Sequence, residues 1–221
     1  MTSSTAEQWV LQVVDGVVPS RPLILLMRHA ERGPLPVGTA GSDVPLRPAG
    51  MRAAAALGNA FGARLTSLHT SPVLRCLQTA TAMALGSRRP LEPRPDNLLG
   101  APGAFVSDSE LAWQNWQHLG HAAVMGAAIE GRQLPGMADP RKASRQLLSH
   151  MVNTVGHVPG IHVFVTHDSL LAPTVAHTVD VDMREQSTWP RFLEAMALVR
   201  GSGGVAVRWR EHHVDLPMEP A

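Results

Sequence analysis

The chain lacks most of what would mark it for an unusual environment. Among its 221 residues there is one cysteine, Cys76, so an intramolecular disulfide is impossible and nothing points to an oxidising compartment. Charged residues make up 17% and the formal net charge is +1. That leaves no field strong enough to gather nucleic acid or an anionic membrane, so an anion would have to bind at a local site. No apolar run approaches the length needed to cross a bilayer. The opening segment Met1-Thr2-Ser3-Ser4-Thr5-Ala6-Glu7 has neither the basic start nor the apolar centre of a secretory leader, and a cytoplasmic location is the expectation. There are 11 histidines, but the His118/His121 pair and the adjacent His212-His213 have no third ligand at a metal-binding spacing. Neither a metal nor another cofactor is expected.

What is present suffices for a substantial fold. Hydrophobic residues are 44% of the chain, enough for the core of one generous domain, residues 1–221, or for a core with an inserted cap. Thr5 to Val18 reads as an amphipathic helix packed on a sheet. Leu23–Met27 is an apolar run of the kind buried on both faces of a parallel sheet. A loop rich in Gly and Pro spans Gly33 to Gly50, and an Ala-rich helix opens at Pro48. Leu65–Thr70 is a second strand, followed by Ser71-Pro72 and a helix that closes near Gly86. Residues 88–140 hold a Pro-rich stretch with at most a short strand, a helix from Ser107 to Met125 bearing Trp113 and Trp116, and a loop; this region is the candidate cap. Arg141–Val155 reads as a helix, Ile161–Thr166 as a β-branched strand, and Ser169–Val179 as the helix behind it. Ala195–Arg200 and Val205–Arg210 form a hairpin about Gly201-Ser202-Gly203-Gly204. The alternation of strand and helix predicts a three-layer α/β/α fold with a mainly parallel sheet. The sequence carries no sign of an oligomeric state.

The strand at Leu23–Met27 ends in Arg28-His29-Ala30-Glu31-Arg32-Gly33-Pro34. Two guanidiniums flanking an imidazole make a poor core, because their charges repel and resist burial. They suit a phosphate, whose oxygens match the arginine fork while the histidine attacks phosphorus. Two further strand ends deliver Ser71-Pro72 with Arg75, and His167-Asp168. Three strands presenting ionisable groups from one edge are what a single site at the lip of an open sheet requires.

These three segments, Arg28 to Pro34, Ser71-Pro72-Val73-Leu74-Arg75-Cys76-Leu77-Gln78-Thr79-Ala80 and Thr166-His167-Asp168, resemble the signatures of the histidine phosphatase superfamily, in the same order. The resemblance implies a phosphoglycerate mutase-like fold and assigns roles. His29 would accept the phosphoryl group, Arg28 and Arg75 would clamp its oxygens, and His167 would stabilise the group in transfer. Arg32 resembles the further arginine of the acid phosphatase and phytase-like branch, and Asp168 the proton donor of that branch; the mutase-like branch instead keeps a glutamate on a separate loop. Ala30 departs from the usual glycine. Glu31 is expected to orient Arg28 or Arg75 through an ion pair; Asp108 and Glu110 stand where a mutase-like acid would lie, but are expected to be an ordinary solvated helix start, where acids are favoured. Trp113 and Trp116 are expected to pack, or to hold an organic leaving group from a cap. Cys76 is expected to be plain core. The resulting expectation is a metal-independent phosphatase acting on a phosphate monoester of a small metabolite. Its alternatives are a phosphotransferase or mutase of the same superfamily, and a non-catalytic module that binds phosphoesters.

Overall fold

In the computed structural model, residues 5–36, 38–201 and 203–217 are described. Met1–Ser4 of the opening segment, Val37 of the Gly/Pro-rich loop and Ser202 of the hairpin turn lie outside the described residues.

Strand β1 (Pro22–Arg28) is buried at every residue. Leu23, Leu25 and Met27 join one hydrophobic cluster while Ile24 and Leu26 join another. That alternation divides the molecule into layers, because successive side chains of a strand point to opposite faces. On one face lie α1 (Thr5–Asp15), α2 (Pro48–Phe61) and α3 (Leu74–Ser87), contributing Val10, Leu57 and Met83. On the other lie α4 (Ser109–Glu130), α5 (Pro140–Val155) and α6 (Asp168–Val179), contributing Met125, Leu147 and Leu171. Between them β2 (Leu65–Thr70), β3 (Arg94–Pro95), β4 (Gly160–Thr166), β5 (Ala195–Arg200), β6 (Gly204–Trp209) and β7 (His212–Pro217) join β1 in one sheet, ordered β3-β2-β4-β1-β5-β6-β7.

The pairs β3/β2, β2/β4 and β4/β1 are parallel, whereas β5, β6 and β7 continue the sheet as an antiparallel meander. The expected α/β architecture and mostly parallel sheet are therefore present. Three details differ. The tail forms three strands rather than a hairpin, since His212–Pro217 pairs with β6; its exposed alternate residues gave no apolar run to read. Helix α1 stops at Asp15, before Gly16. Helix α4 runs on to Glu130 and is broken at Gly120, whose φ of 77° and ψ of 169° are not helical. Only a residue without a Cβ reaches that conformation cheaply. The region 88–140 is rooted in the main body: Leu99, Phe105, Val124 and Met137 belong to the same cluster as α5 and α6.

Candidate active site

Because β2, β4 and β1 are parallel neighbours, their carboxyl ends share one edge, with Arg28 opposite Thr166 and Thr70 opposite Val165. The chain continues the ladder for one step beyond the strands. The His29 N–H donates to the Thr166 carbonyl at 2.9 Å and the Ser71 N–H to the Val165 carbonyl at 2.9 Å. Arg28, His29, Ser71, Arg75, His167 and Asp168 are thereby drawn together from three distant parts of the sequence.

Arg75 is the hub. Its Nε donates to His29 Nε2 at 3.2 Å, Nη2 to His167 Nδ1 at 3.2 Å, and Nη1 to the Gly41 carbonyl at 2.8 Å. These bonds determine where the imidazole protons sit, because a guanidinium only donates. His29 Nδ1 faces the Ala30 carbonyl at 2.8 Å, which only accepts, so Nδ1 carries the hydrogen and Nε2 the lone pair. In His167 the lone pair is on Nδ1, and Nε2–H donates to Ser71 Oγ at 3.0 Å. Burial, reinforced by the nearby guanidiniums, holds His29 neutral, its pKa lowered to about 3. Burial likewise pushes His167 well below its ordinary value.

Arg28 is gripped from three sides. Nη2 pairs with Asp168 Oδ2 at 2.7 Å, Nη1 donates to the Pro190 carbonyl at 2.6 Å, and the guanidinium lies 4.2 Å above the Phe192 ring. The Phe192 ring also stands 5.7 Å from that of His29. Burial would raise the Asp168 carboxyl, but the Arg28 guanidinium, the Trp189 indole N–H at 3.2 Å and the His29 imidazole outweigh it, and the net shift is downward. Its place in the first turn of α6 favours the same charge. Arg32 is half-buried, with Nη1 donating to the Gly33 carbonyl at 2.8 Å, and its charge is felt by both Arg28 and Arg75. Three guanidiniums thus face one carboxylate, a local excess that suits a doubly charged oxyanion. Nε of Arg28 and Nε of Arg32 are buried donors with no partner among the described residues, the kind of group an oxyanion satisfies.

The structure corrects one expectation outright. Glu31 orients neither Arg28 nor Arg75; its carboxylate pairs with Arg47 at 3.2 Å on the surface. The backbone explains why. A Cβ on Gly50 would lie 2.3 Å from the Glu31 carbonyl oxygen, and the Arg47 N–H donates to that oxygen at 2.9 Å, so Glu31 is pinned against the start of α2. Asp108 caps α4, accepting from the N–H groups of Glu110 and Leu111; Glu110 is exposed in the first turn. Trp116, rather than Trp113, makes the ring contact toward the site. It stands 5.3 Å from His121, which stands 5.8 Å from Trp189, the partner of Asp168. Trp113 is half-buried on the same helix. Cys76 is fully buried and its thiol is pushed up to about 12 by that burial, an inert core residue.

Several residues at the site gave little sequence signal. Thr79 Oγ accepts from the Ala30 N–H at 3.0 Å and donates to the Arg75 carbonyl at 2.7 Å, tying the turn after His29 to α3. Trp189, Pro190 and Phe192 build the wall behind Arg28 and Asp168. Their only hint was two aromatics about a proline, just before a strand, in a chain with 4% aromatic residues.

A model of the histidine phosphatase superfamily, branch 1, matches residues 24–99. Among curated protein sequences none matches closely enough to be called a relative. Several solved structures share the fold. YhfR from Bacillus stearothermophilus is 19% identical, covering 86% of this chain and 96% of that one with a TM-score of 0.56. Mycobacterial hydrolase 2 is 17% identical, covering 90% and 93%, also at 0.56. A phosphoserine phosphatase from Entamoeba histolytica, in complex with 3-phosphoglyceric acid, is 15% identical over 80% and 90% at 0.50. The match to branch 1 ends at residue 99, short of His167-Asp168, so it does not bear out the acid phosphatase and phytase-like placement that rested on that pair. Two of the three motifs lie inside the matched segment and the third follows the adjoining strand β4, so over residues 24–99 the chain is similar to the histidine phosphatase superfamily.

Proposed function

We propose that this chain hydrolyses a phosphate monoester of a small metabolite through a phosphohistidine on His29, without a metal. One observation carries the reading. A neutral His29, its Nδ1–H tied to the Ala30 carbonyl, turns the lone pair of Nε2 toward a cluster of three guanidiniums. That lone pair attacks phosphorus while Arg28, Arg32, Arg75 and His167 take the charge on the phosphoryl oxygens, the electrostatic service that phosphoryl transfer chiefly needs. The ester P–O bond breaks as the N–P bond forms, and Asp168, having taken the proton that the ester brings as its monoanion, passes it to the leaving oxygen. Asp168 then accepts a proton from water, which attacks the phosphohistidine and frees phosphate and His29. The Trp116–His121–Trp189 row beside Asp168 forms a wall for the organic part of the ester. The phosphoserine phosphatase with the same fold, crystallised with 3-phosphoglyceric acid, supports a small phosphorylated substrate.

The test is phosphate release from a panel of aryl and alkyl phosphates in the presence of EDTA, with rapid quenching into alkali to trap labelled protein. Turnover that survives chelation, with alkali-stable and acid-labile label on His29, is the expected result. Activity abolished by EDTA, or labelled phosphate lost without passing through the protein, overturns the reading.

The ionisations also predict a pH profile. Asp168 is a carboxylate in the free protein, so the proton for the leaving group arrives with the ester as its monoanion. Above the second pKa of the ester, about 6, kcat/KM should fall about tenfold per pH unit. On the acid side His29 stays neutral down to about its own pKa near 3, so initial rates should hold to about pH 4. Stability should fail first. His29, His69 and His162 have folded pKa values below the unfolded one, so the unfolded chain binds more protons as pH falls below about 6.5. The fold then loses stability continuously down through the folded values. Thermal melts from pH 7 to pH 4 should show a falling Tm, partly restored by inorganic phosphate; a flat Tm would contradict the burial of these rings as neutral groups.

A further inference from the structure

Arg210 occupies the two-residue turn between β6 and β7 with a φ of 51°, a left-handed conformation that an arginine does not take without compensation. Its side chain shows what holds it there. Nε and Nη2 bind the two oxygens of Glu194 at 2.8 and 3.1 Å, Nη1 donates to the Ser187 carbonyl at 2.9 Å, and Nη2 also donates to the Trp189 carbonyl at 3.3 Å. Glu194 is 4% exposed and its second oxygen also accepts from the Arg191 N–H at 2.7 Å. From behind, the Trp9 indole of α1 donates to the Arg210 carbonyl at 3.2 Å. The segment clasped in this way, residues 187–191, delivers the Trp189 indole to Asp168 and the Pro190 carbonyl to Arg28. At its far end Leu193, also at positive φ (59°), turns the chain so that the Glu194 carbonyl accepts from the Arg28 N–H at 2.9 Å.

We propose that Arg210, braced by Glu194, is a positioning residue for the active site: it holds residues 187–191 so that Trp189 and Pro190 aim Asp168 and Arg28. None of its own contacts is with the phosphate-binding groups; it acts through the segment it grips. The role rests on Asp168 being the leaving-group acid, as proposed above. A planar fork is required, because one ammonium cannot serve a bidentate carboxylate and two carbonyls together. Arg210→Lys therefore keeps the charge that Glu194 needs, avoiding an unpaired buried carboxylate, while releasing Ser187 and Trp189.

The decisive experiment joins kinetics to a reading of Trp189 that does not need turnover. In Arg210→Lys, kcat should fall about tenfold for an alkyl phosphate and less than about threefold for nitrophenyl phosphate, whose leaving group needs little protonation. In an Asp168→Asn background the leaving-group dependence of the change should vanish: the part that acts through Asp168 is gone, and the part that acts through Arg28 should be small and equal for the two esters. The indole N–H resonance of Trp189, assigned with Trp189→Phe, should move in Arg210→Lys and in the paired Arg210→Gln/Glu194→Gln variant. Equal losses for both esters that add in the double variant, or an unmoved Trp189 resonance, would overturn the proposal. A moved resonance in a protein that hydrolyses no ester would overturn the phosphatase reading and leave the brace standing.

Discussion

His29→Ala should lower kcat/KM by at least ~10^4-fold on every ester, because it removes the atom that bonds to phosphorus. The loss should not depend on the leaving group. Phosphate binding should persist, since Arg28, Arg32 and Arg75 remain and none is held in place by His29 alone: Arg28 keeps Asp168 and the Pro190 carbonyl, and Arg75 keeps the Gly41 carbonyl and His167. Isothermal titration with inorganic phosphate separates the two effects. The variant leaves Arg75 Nε without its acceptor, so His29→Gln, which can accept that bond, is the second form to assay. Retention of more than a tenth of wild-type activity in either variant would sink the phosphohistidine route; loss of phosphate binding along with activity would mean that the pocket itself had collapsed.

Asp168→Asn separates acid catalysis from charge. For an alkyl phosphate, whose alkoxide is a poor leaving group, the expected loss in kcat is ~10^2- to 10^4-fold, the usual worth of a positioned proton donor. For nitrophenyl phosphate it should be about tenfold or less, because the phenolate departs without help. Affinity should move the other way. The carboxylate now neutralises part of Arg28 at 2.7 Å, and its removal leaves three guanidiniums uncompensated, so inorganic phosphate should bind more tightly at low salt. Rising phosphate affinity with falling alkyl turnover is not expected of a mere loss of structure. Equal losses for both esters would assign the proton transfer elsewhere. His121, which faces Trp189 across 5.8 Å, would be the next group to test.

The strands and the helices behind them were legible because burial imposes simple patterns on a chain. β1 is apolar from Pro22 to Met27 since both of its faces are covered, and β4 shows the same burial. The candidate site groups were legible for the opposite reason: Arg28 ends β1, His29 follows it, His167 and Asp168 follow β4, and Arg75 opens the helix after β2, all places where core packing gives no cause for charge. A parallel sheet that aligns strand ends brings such residues together without further information. The branch that the chain resembles was less legible, because the pair that distinguishes it lies beyond residues 24–99, the segment that the family model matches.

Everything that depends on distant loops was decided by the tertiary structure. Nothing in the local sequence of Glu31 says that it will pair with Arg47 rather than with an adjacent arginine; the close approach of α2 at Gly50 settles it. Nothing in Trp189-Pro190-Arg191-Phe192 marks it as the wall of a site that begins 160 residues earlier. That wall exists because β5 runs antiparallel beside β1, which brings the segment before β5 to the end of β1, next to Arg28. By itself the sequence determined which elements form and which charged groups leave the sheet at one edge, since both follow from hydrophobic period and strand order. The tertiary structure alone decided the partner of each charge and the proton-bearing nitrogen of each imidazole, because those depend on atoms that meet only after the chain has closed.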